Sequence, residues 1–320
     1  MDSRLRLLFL QQIEPVSPTR QPDPSIRLIW DPQMFCQNYS KDGSGHPESC
    51  PYCPLGFKDG HLTFEGKKTV SNEFADPDDV VTFLKTNAAP LDYMLEICGG
   101  EPLLYPYLDE VLGTSLPEPW LWGMTSNSLH TPMIQKLKKN GALKRCWSWN
   151  ASWHPHSKQE DRFARNLLLI RSGLAYDVQL RSTIVVTEET IERIDEIVDF
   201  LEALPIDGYQ FHCSTFGGIQ QEEAEAELGR RLQEKVGEDT FKSKISTYIS
   251  PPRQTRECNY YSKLIAINPD GQVYPCTIFS FKGLDPIGHV KDNFLLSALP
   301  QTTRSCSHEC VAPCDYVKLV

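Results

Sequence analysis

No stretch of the 320-residue chain approaches the ~18 consecutive apolar residues that span a bilayer, so a helical membrane protein is excluded. Clustered lysine and arginine are missing too. The formal charge is −10 and the pI about 5.3, which speaks against a phosphate-binding groove, and nucleic acid is not an expected partner. The tightest basic group, Lys136 to Arg145, reads as the solvated end of a helix. No secretory signal is legible: the apolar run "RLRLLFL" is short, and no small-residue cleavage site follows it. Residues 1–24 therefore read as an N-terminal arm, and the chain is expected in the cytoplasm. Internal repeats and long low-complexity tracts are absent as well. What remains is a chain with 40% apolar residues, enough for one large domain and a small one.

Cysteine, by contrast, is abundant, with eleven in the chain. A reducing compartment disfavours structural disulfides, so clustered cysteines point to metal or redox chemistry. Cys36, Cys50 and Cys53 lie near the start, within "FCQNYSKDGSGHPESCPYC". Cys258, Cys276, Cys306, Cys310 and Cys314 crowd the end. Cys98, Cys146 and Cys213 sit singly in apolar stretches and read as buried thiols. By spacing alone, Cys36, His46, Cys50 and Cys53 also admit a zinc site.

Between the two sets, apolar runs alternate with amphipathic ones. Strands are expected at 26–30, 93–98, 121–125, 146–153, 178–186 and 208–214, and helices at 76–87, 131–141, 158–173 and 187–204. In the last helix Ile191, Ile194, Ile197, Val198 and Leu201 share a face, and Thr187 is a plausible N-cap. Such alternation implies about six parallel βαβ units, hence an α/β fold with a partial (β/α)6 TIM-like barrel over 25–218 and active groups at the C-terminal strand ends. A charged helical pattern at 219–239 leads the expected bridging helix, 219–249. The remainder, 250–320, is a compact cysteine-rich domain around an "NPDG" hairpin turn, Asn268 to Gly271. Trp147, Trp149 and Trp153 alternate on one strand and are expected to share a face as core or barrel lining.

The segment "EICGGEPLLYP" (96–106) ends the second of these strands. Two glycines there let the backbone approach a ligand closely, although an isolated "GGEP" is only a turn. Three cysteines after the first strand and Gly-Gly-Glu-Pro after the second together resemble the radical S-adenosylmethionine (SAM) family. That resemblance implies that Cys36, Cys50 and Cys53 bind three irons of a [4Fe–4S] cluster, leaving the fourth iron for the amino and carboxylate groups of SAM. It implies Tyr52 packing near the adenine, and Gly99, Gly100, Glu101 and Pro102 forming the turn that meets the methionyl amino group. The chain departs from the family in one respect: thirteen residues separate Cys36 from Cys50, where the usual spacing is three. The insertion is polar and glycine-bearing, and closing a loop longer by about ten residues costs on the order of 1 kcal/mol.

The C-terminal cysteines are similar to the SPASM/twitch extension found on some members of the family. Five of them fit the shorter, twitch-like form with one auxiliary [4Fe–4S] cluster; Cys258, Cys276 and Cys314 are the firmest ligands, and Cys306 and Cys310 compete for the fourth place. A zinc knuckle is the plainer alternative for this tail.

By strand-end position, Asn127, Asn150, Ser152 and Arg181 are candidates to hold SAM, the guanidinium suiting a carboxylate. A structural hydrogen bond is the competing reading for each. His154, His212 and Cys213 are candidates for handling a substrate proton. The family's chemistry would be a 5′-deoxyadenosyl radical abstracting hydrogen from an unactivated C–H bond. An oxidation, dehydrogenation or epimerisation follows from that, with flavodoxin or ferredoxin as the reducing donor. A small polar metabolite is the favoured substrate, ahead of a ribosomally made peptide. A non-catalytic zinc or iron–sulfur protein is the alternative of a different class.

Overall fold

The computed structural model describes residues 26–31, 55–58, 61–64, 67–68, 74–87, 93–113, 115–116, 120–186, 188–213, 227, 230–231, 233–235, 237–238, 245–249, 256–258, 264–299 and 304–306. Strand β1 (Ile26–Trp30) precedes a small antiparallel sheet of β2 (Leu55–Lys58), β3 (His61–Phe64) and β4 (Lys67–Lys68). Then helices and strands alternate: α1 (Pro77–Thr86), β5 (Tyr93–Ile97), α2 (Leu108–Leu112), β6 (Leu121–Ser126), α3 (Thr131–Lys139) and β7 (Cys146–Trp153). The series continues with α4 (Glu160–Arg171), β8 (Gln179–Val186), α5 (Glu188–Glu192), α6 (Ile194–Glu202) and β9 (Gly208–Cys213). Beyond lie β10 (Ile245–Ile249), β11 (Arg256–Cys258), β12 (Leu264–Ile267), β13 (Gln272–Tyr274), α7 (Thr277–Lys282), β14 (Gly288–His289) and β15 (Arg304–Cys306).

Strands β1, β5, β6, β7, β8, β9 and β10 lie side by side in that order, all parallel. A strand order that follows the chain without reversal puts every right-handed crossover on the same face of the sheet. Burial agrees. Leu28, Ile97, Trp122, Trp149, Leu180 and Phe211 from the strands share one core with Phe83, Val111, Ile134, Phe163 and Ile197 from the helices. A doubly wound sheet would bury apolar residues on both faces. Here the opposite face carries Glu96, Thr125, Asn150, Arg181 and Gln210, all half-buried or exposed. This is the singly wound arrangement of a barrel, and the mixed α/β fold with a largely parallel sheet is as expected. Among the described residues no helix is long and apolar enough to cross a membrane.

Local signals explain the elements. Asp76 caps α1 by accepting from the Asp78 backbone N–H at 2.9 Å, Pro77 occupies the first turn, and Lys85 lies in the last. Val80, Val81, Phe83 and Leu84 are its buried stripe, each worth about 1.5–3 kcal/mol when removed from water. The single helix expected over 187–204 is two, α5 and α6, which meet at Arg193. The Thr190 hydroxyl donates to the Val185 carbonyl and ties α5 to the end of β8. Arg193 spans the junction through ion pairs with Glu189 and Glu196. Thr187 lies outside the described residues.

Residues 245–249, expected inside the bridging segment, form β10 instead. "ISTYI" is β-branched and aromatic, and pairing with β9 gives its backbone partners. Helical backbone is described at 227, 230–231, 233–235 and 238, within the helix expected there. The "NPDG" turn is found between β12 and β13, with Gly271 at φ 84°. Strand β12 pairs parallel to β1 on the side away from β5. Residues 264–299 also pack on the first helix: Asn87 accepts from the Leu296 N–H at 2.8 Å and donates to the Phe294 carbonyl at 3.2 Å.

Candidate functional site at the C-terminal strand ends

The Gly-Gly-Glu-Pro turn leaves β5 beside the end of β1. The Cys98 N–H donates to the Trp30 carbonyl at 3.1 Å, holding the two strands together up to the turn. Gly99 then takes φ 102°, a conformation in which a Cβ would be strained. Glu101 is 1% exposed, and its carboxyl is fully engaged. Its Oε1 accepts from the Ser126 hydroxyl at 2.6 Å and the Leu103 N–H at 3.1 Å, and its Oε2 from the Asn127 N–H at 2.7 Å. Burial pushes this carboxyl up to about 7, against the pull of those three donors. Glu101 thus clamps the turn after β5 to the turn after β6. Pro102 opens a short 3-10 turn, Pro102–Leu104, capped by the same carboxyl.

The turn after β6 is itself braced. The Asn127 side chain accepts from the Leu129 N–H at 3.0 Å, and the Ser126 hydroxyl accepts from the Ser128 N–H at 2.8 Å. Ser128 sits at φ 57°, unusual for a residue with a side chain. Asn166, buried in α4, holds that conformation by donating to the Ser128 carbonyl at 2.8 Å, and the Trp149 indole donates to the Ser128 hydroxyl at 3.0 Å. Asn127 stands in this turn. Ser126, Ser128 and Asn166 were not foreseen. Their only sequence signal is polarity at positions where the helical and strand periods require apolar residues.

Asn150 and Arg181 are paired neighbours across β7 and β8, with Ser152 and Thr183 one step further. The Thr183 hydroxyl donates to the Asn150 side-chain oxygen at 2.7 Å. Arg181 is exposed on the same face and forms no hydrogen bond or ion pair among the described residues. His154 follows the last residue of β7. His212 and Cys213 end β9, and of them only the backbone is described. Cys36, Tyr52, Cys50, Cys53, His46, Cys310 and Cys314 lie outside the described residues. Cys258 and Cys306 occupy diagonal positions of the β11–β15 ladder, in which Arg256 pairs with Cys306 and Cys258 with Arg304. Cys276 is partly exposed. Among the described residues no group of three or more His, Cys, Asp or Glu side chains is placed to hold a metal ion.

Two expectations need correction. The three tryptophans do not share a face, because the register between β6 and β7 shifts at Trp122/Gly123: Gly123 pairs with Ser148, and Trp147 is the extra residue. A bulge of this kind re-aims its side chain. Trp149 and Trp153 stay in the core, while Trp147 lies over Gly123 beside Glu96. Cys98 is not a plain buried thiol either. It is partly exposed, and its thiol donates to Asp31 Oδ1 at 3.1 Å. Burial and the neighbouring Asp31 and Glu96 charges push that thiol well above its ordinary range. Cys146, by contrast, is buried as expected, with its thiol on the Ser148 carbonyl at 3.2 Å.

A Cβ at Gly123 would lie 2.6 Å from Glu96 Oε2 and 2.9 Å from Trp147 Nε1. Gly123→Ala is therefore expected to lower stability by about 1–2 kcal/mol, read as a lower urea midpoint with an unchanged m-value. An unchanged midpoint would show that Glu96 and Trp147 move aside freely.

No family model and no curated protein matches the chain. Solved structures do share its fold. Streptococcus suis SuiB bound to precursor peptide SuiA is 18% identical with a TM-score of 0.57, the match covering 85% of this chain and 64% of that one. Native anSMEcpe with bound AdoMet, which is SAM, is 14% identical with a TM-score of 0.57, covering 83% of this chain and 78% of that one. The same protein with AdoMet and Cp18Cys peptide is 13% identical with a TM-score of 0.54. This chain thus spans under two thirds of the SuiB length. Likeness at this level of identity establishes the fold.

Proposed function

We propose that the chain is a radical SAM enzyme that binds SAM at the ends of β1, β5, β6, β7 and β8. The observation that carries this reading is the Gly99–Gly100 turn, locked by Glu101 against the Ser126–Leu129 turn, in a fold shared with structures that hold AdoMet. The residues present suit the cofactor. The turn offers backbone to an amino group, Arg181 offers a guanidinium to a carboxylate, and Asn150 and Ser152 offer hydrogen bonds between them. Cys36, Cys50 and Cys53 would hold the [4Fe–4S] cluster. When bound, cluster and SAM together supply a one-electron cleavage that yields a hydrogen-abstracting organic radical. The protein's part would be to orient both.

The substrate is a polar metabolite or a peptide. The twitch-like resemblance favours the metabolite; two of the solved structures that share the fold hold peptides, which raises the peptide to at least equal standing. His154, His212 and Cys213 remain the candidates for a substrate proton. Residues 250–320 are assigned an auxiliary [4Fe–4S] cluster held by Cys258, Cys276, Cys314 and either Cys306 or Cys310. The β11–β15 ladder, which joins Cys258 and Cys306 in one small sheet, favours Cys306.

Iron analysis tests the assignment. The reconstituted protein should hold about eight irons per chain and Cys314→Ala about four, the variant still cleaving SAM but failing to turn over its substrate. Four irons in both proteins would remove the auxiliary cluster. Peptide and metabolite pools assayed for stimulation of 5′-deoxyadenosine release would then separate the two substrate classes.

A further inference from the structure

The bulge in β7 takes Trp147 out of the core and sets it on the polar face of the sheet, where it meets Glu96 over Gly123. A Cβ at Gly123 would lie 2.6 Å from Glu96 Oε2 and 2.9 Å from Trp147 Nε1, so the missing side chain is what lets carboxylate and ring share one spot. The register keeps these residues level: Glu96 pairs with Gly123, and Gly123 with Ser148, the neighbour of Trp147. Within the described strand residues, Glu96 is the one acidic side chain on this face.

Nothing in the fold uses the pair as a lock. Trp147 Nε1 is shielded from solvent and has no hydrogen-bond partner, so it does not donate to the carboxylate. Trp122 and Trp153 share that lack, but they lie in the apolar core. Glu101 provides the contrast, a carboxylate sunk in the fold with both oxygens bonded. Glu96 and Trp147 are only half-buried, and Glu96 alternates with buried Leu95 and Ile97, so its open part gives onto the polar face. A carboxylate has about four acceptor positions, so it can take a ligand besides whatever it already bonds. A carboxylate beside an aromatic ring is the chemistry that recognises an organic cation, and a net charge of −10 draws cations to the chain.

Depth says what carries the cation. Glu96 lies three residues before Gly99, about 10 Å down the strand from the Gly-Gly turn. A group held there sits beneath the place given to SAM, and the chain that bears it runs up toward the strand ends.

We propose that Glu96 and Trp147 bind a cationic nitrogen group of the substrate, alkylammonium or guanidinium, at the floor of the polar face. This rests on the SAM reading above. The anchored charge presents the carbons next to it to the strand ends, whether the substrate is a free amine or a peptide with a basic side chain.

The test titrates charged and neutral probes by calorimetry into the reconstituted protein. Agmatine against 1-pentanol represents a free metabolite; acetyl-lysine amide and acetyl-arginine amide against acetyl-norleucine amide represent a peptide. Wild type should bind a charged probe of at least one set about tenfold more tightly than its neutral counterpart, and the set with the larger preference names the source. Glu96→Gln, which keeps the size and loses the charge, should bind charged and neutral probes alike, and Trp147→Leu should lower the preference about fivefold. Equal affinity of wild type for charged and neutral probes overturns the proposal without any variant. So does a preference that Glu96→Gln retains. Intact SAM in the reduced wild type removes the SAM reading, and the role as a substrate site with it, even where the charge preference stands; the two failures are therefore distinct.

Discussion

Cys53→Ala should lose SAM cleavage by at least about a thousandfold, the size of effect seen when a group at the reacting centre is removed. The reason is arithmetic at the metal. In the proposed site three thiolates would hold three irons and leave one iron open; with two thiolates the cluster would be lost or closed by another ligand. Cys50→Ala should behave identically, and the two losses should not add, because each would remove the whole proposed cluster. Cys36→Ala is the sharper probe, since the thirteen-residue insertion makes its assignment depend on a loop whose ends must meet. Each variant should keep the wild-type melting curve before reconstitution, measured by circular dichroism. Full 5′-deoxyadenosine release by Cys53→Ala would exclude the ligand assignment.

Glu101→Ala should cost about 3 kcal/mol of folding stability, measured by urea unfolding, because it strips acceptors from three buried donors at once. The damage should reach function as well. The turns after β5 and β6 would no longer be tied, and SAM affinity should fall by about tenfold or more. A pH arm identifies the carboxyl. Its ordinary value is 4.5 and burial raises it to about 7 in the fold. Between those values the folded protein binds the extra proton, so this group's contribution to stability falls as pH rises from about 5 to 7. The wild type should therefore gain on Glu101→Gln as pH is lowered from 8 to 5.5. A stability gap independent of pH would contradict the burial of an ionisable group at this site.

Much of the frame is legible in single-residue patterns. The strand over 146–153 coincides with its expected bounds, and Val80, Phe83 and Leu84 of α1 are buried at helical spacing. The Gly-Gly-Glu-Pro motif lies at a strand end, where a parallel sheet collects its functional groups. Contacts without a period are what escape. Asp31 meets Cys98 across 67 positions, Asn166 meets Ser128 across 38, and Ser126 meets Glu101 across 25. Nothing local in "WDP" or "RNLL" announces those bonds. The bulge that turns Trp147 out of the core is one extra residue in a strand of otherwise regular alternation. Alternation counted from the sequence assigns it the wrong face for that reason. Strand β10 falls at the end of the expected bridging helix, although its own residues favour a strand. Local preference was the better guide there.

The most direct measurement is anaerobic: reconstitute the chain with iron and sulfide, reduce it, add SAM, and assay 5′-deoxyadenosine and methionine. A radical SAM enzyme releases both in equal amounts, and Cys53→Ala releases neither. Intact SAM in a protein that instead retains one tightly bound zinc ion would contradict the account and leave a zinc module in its place.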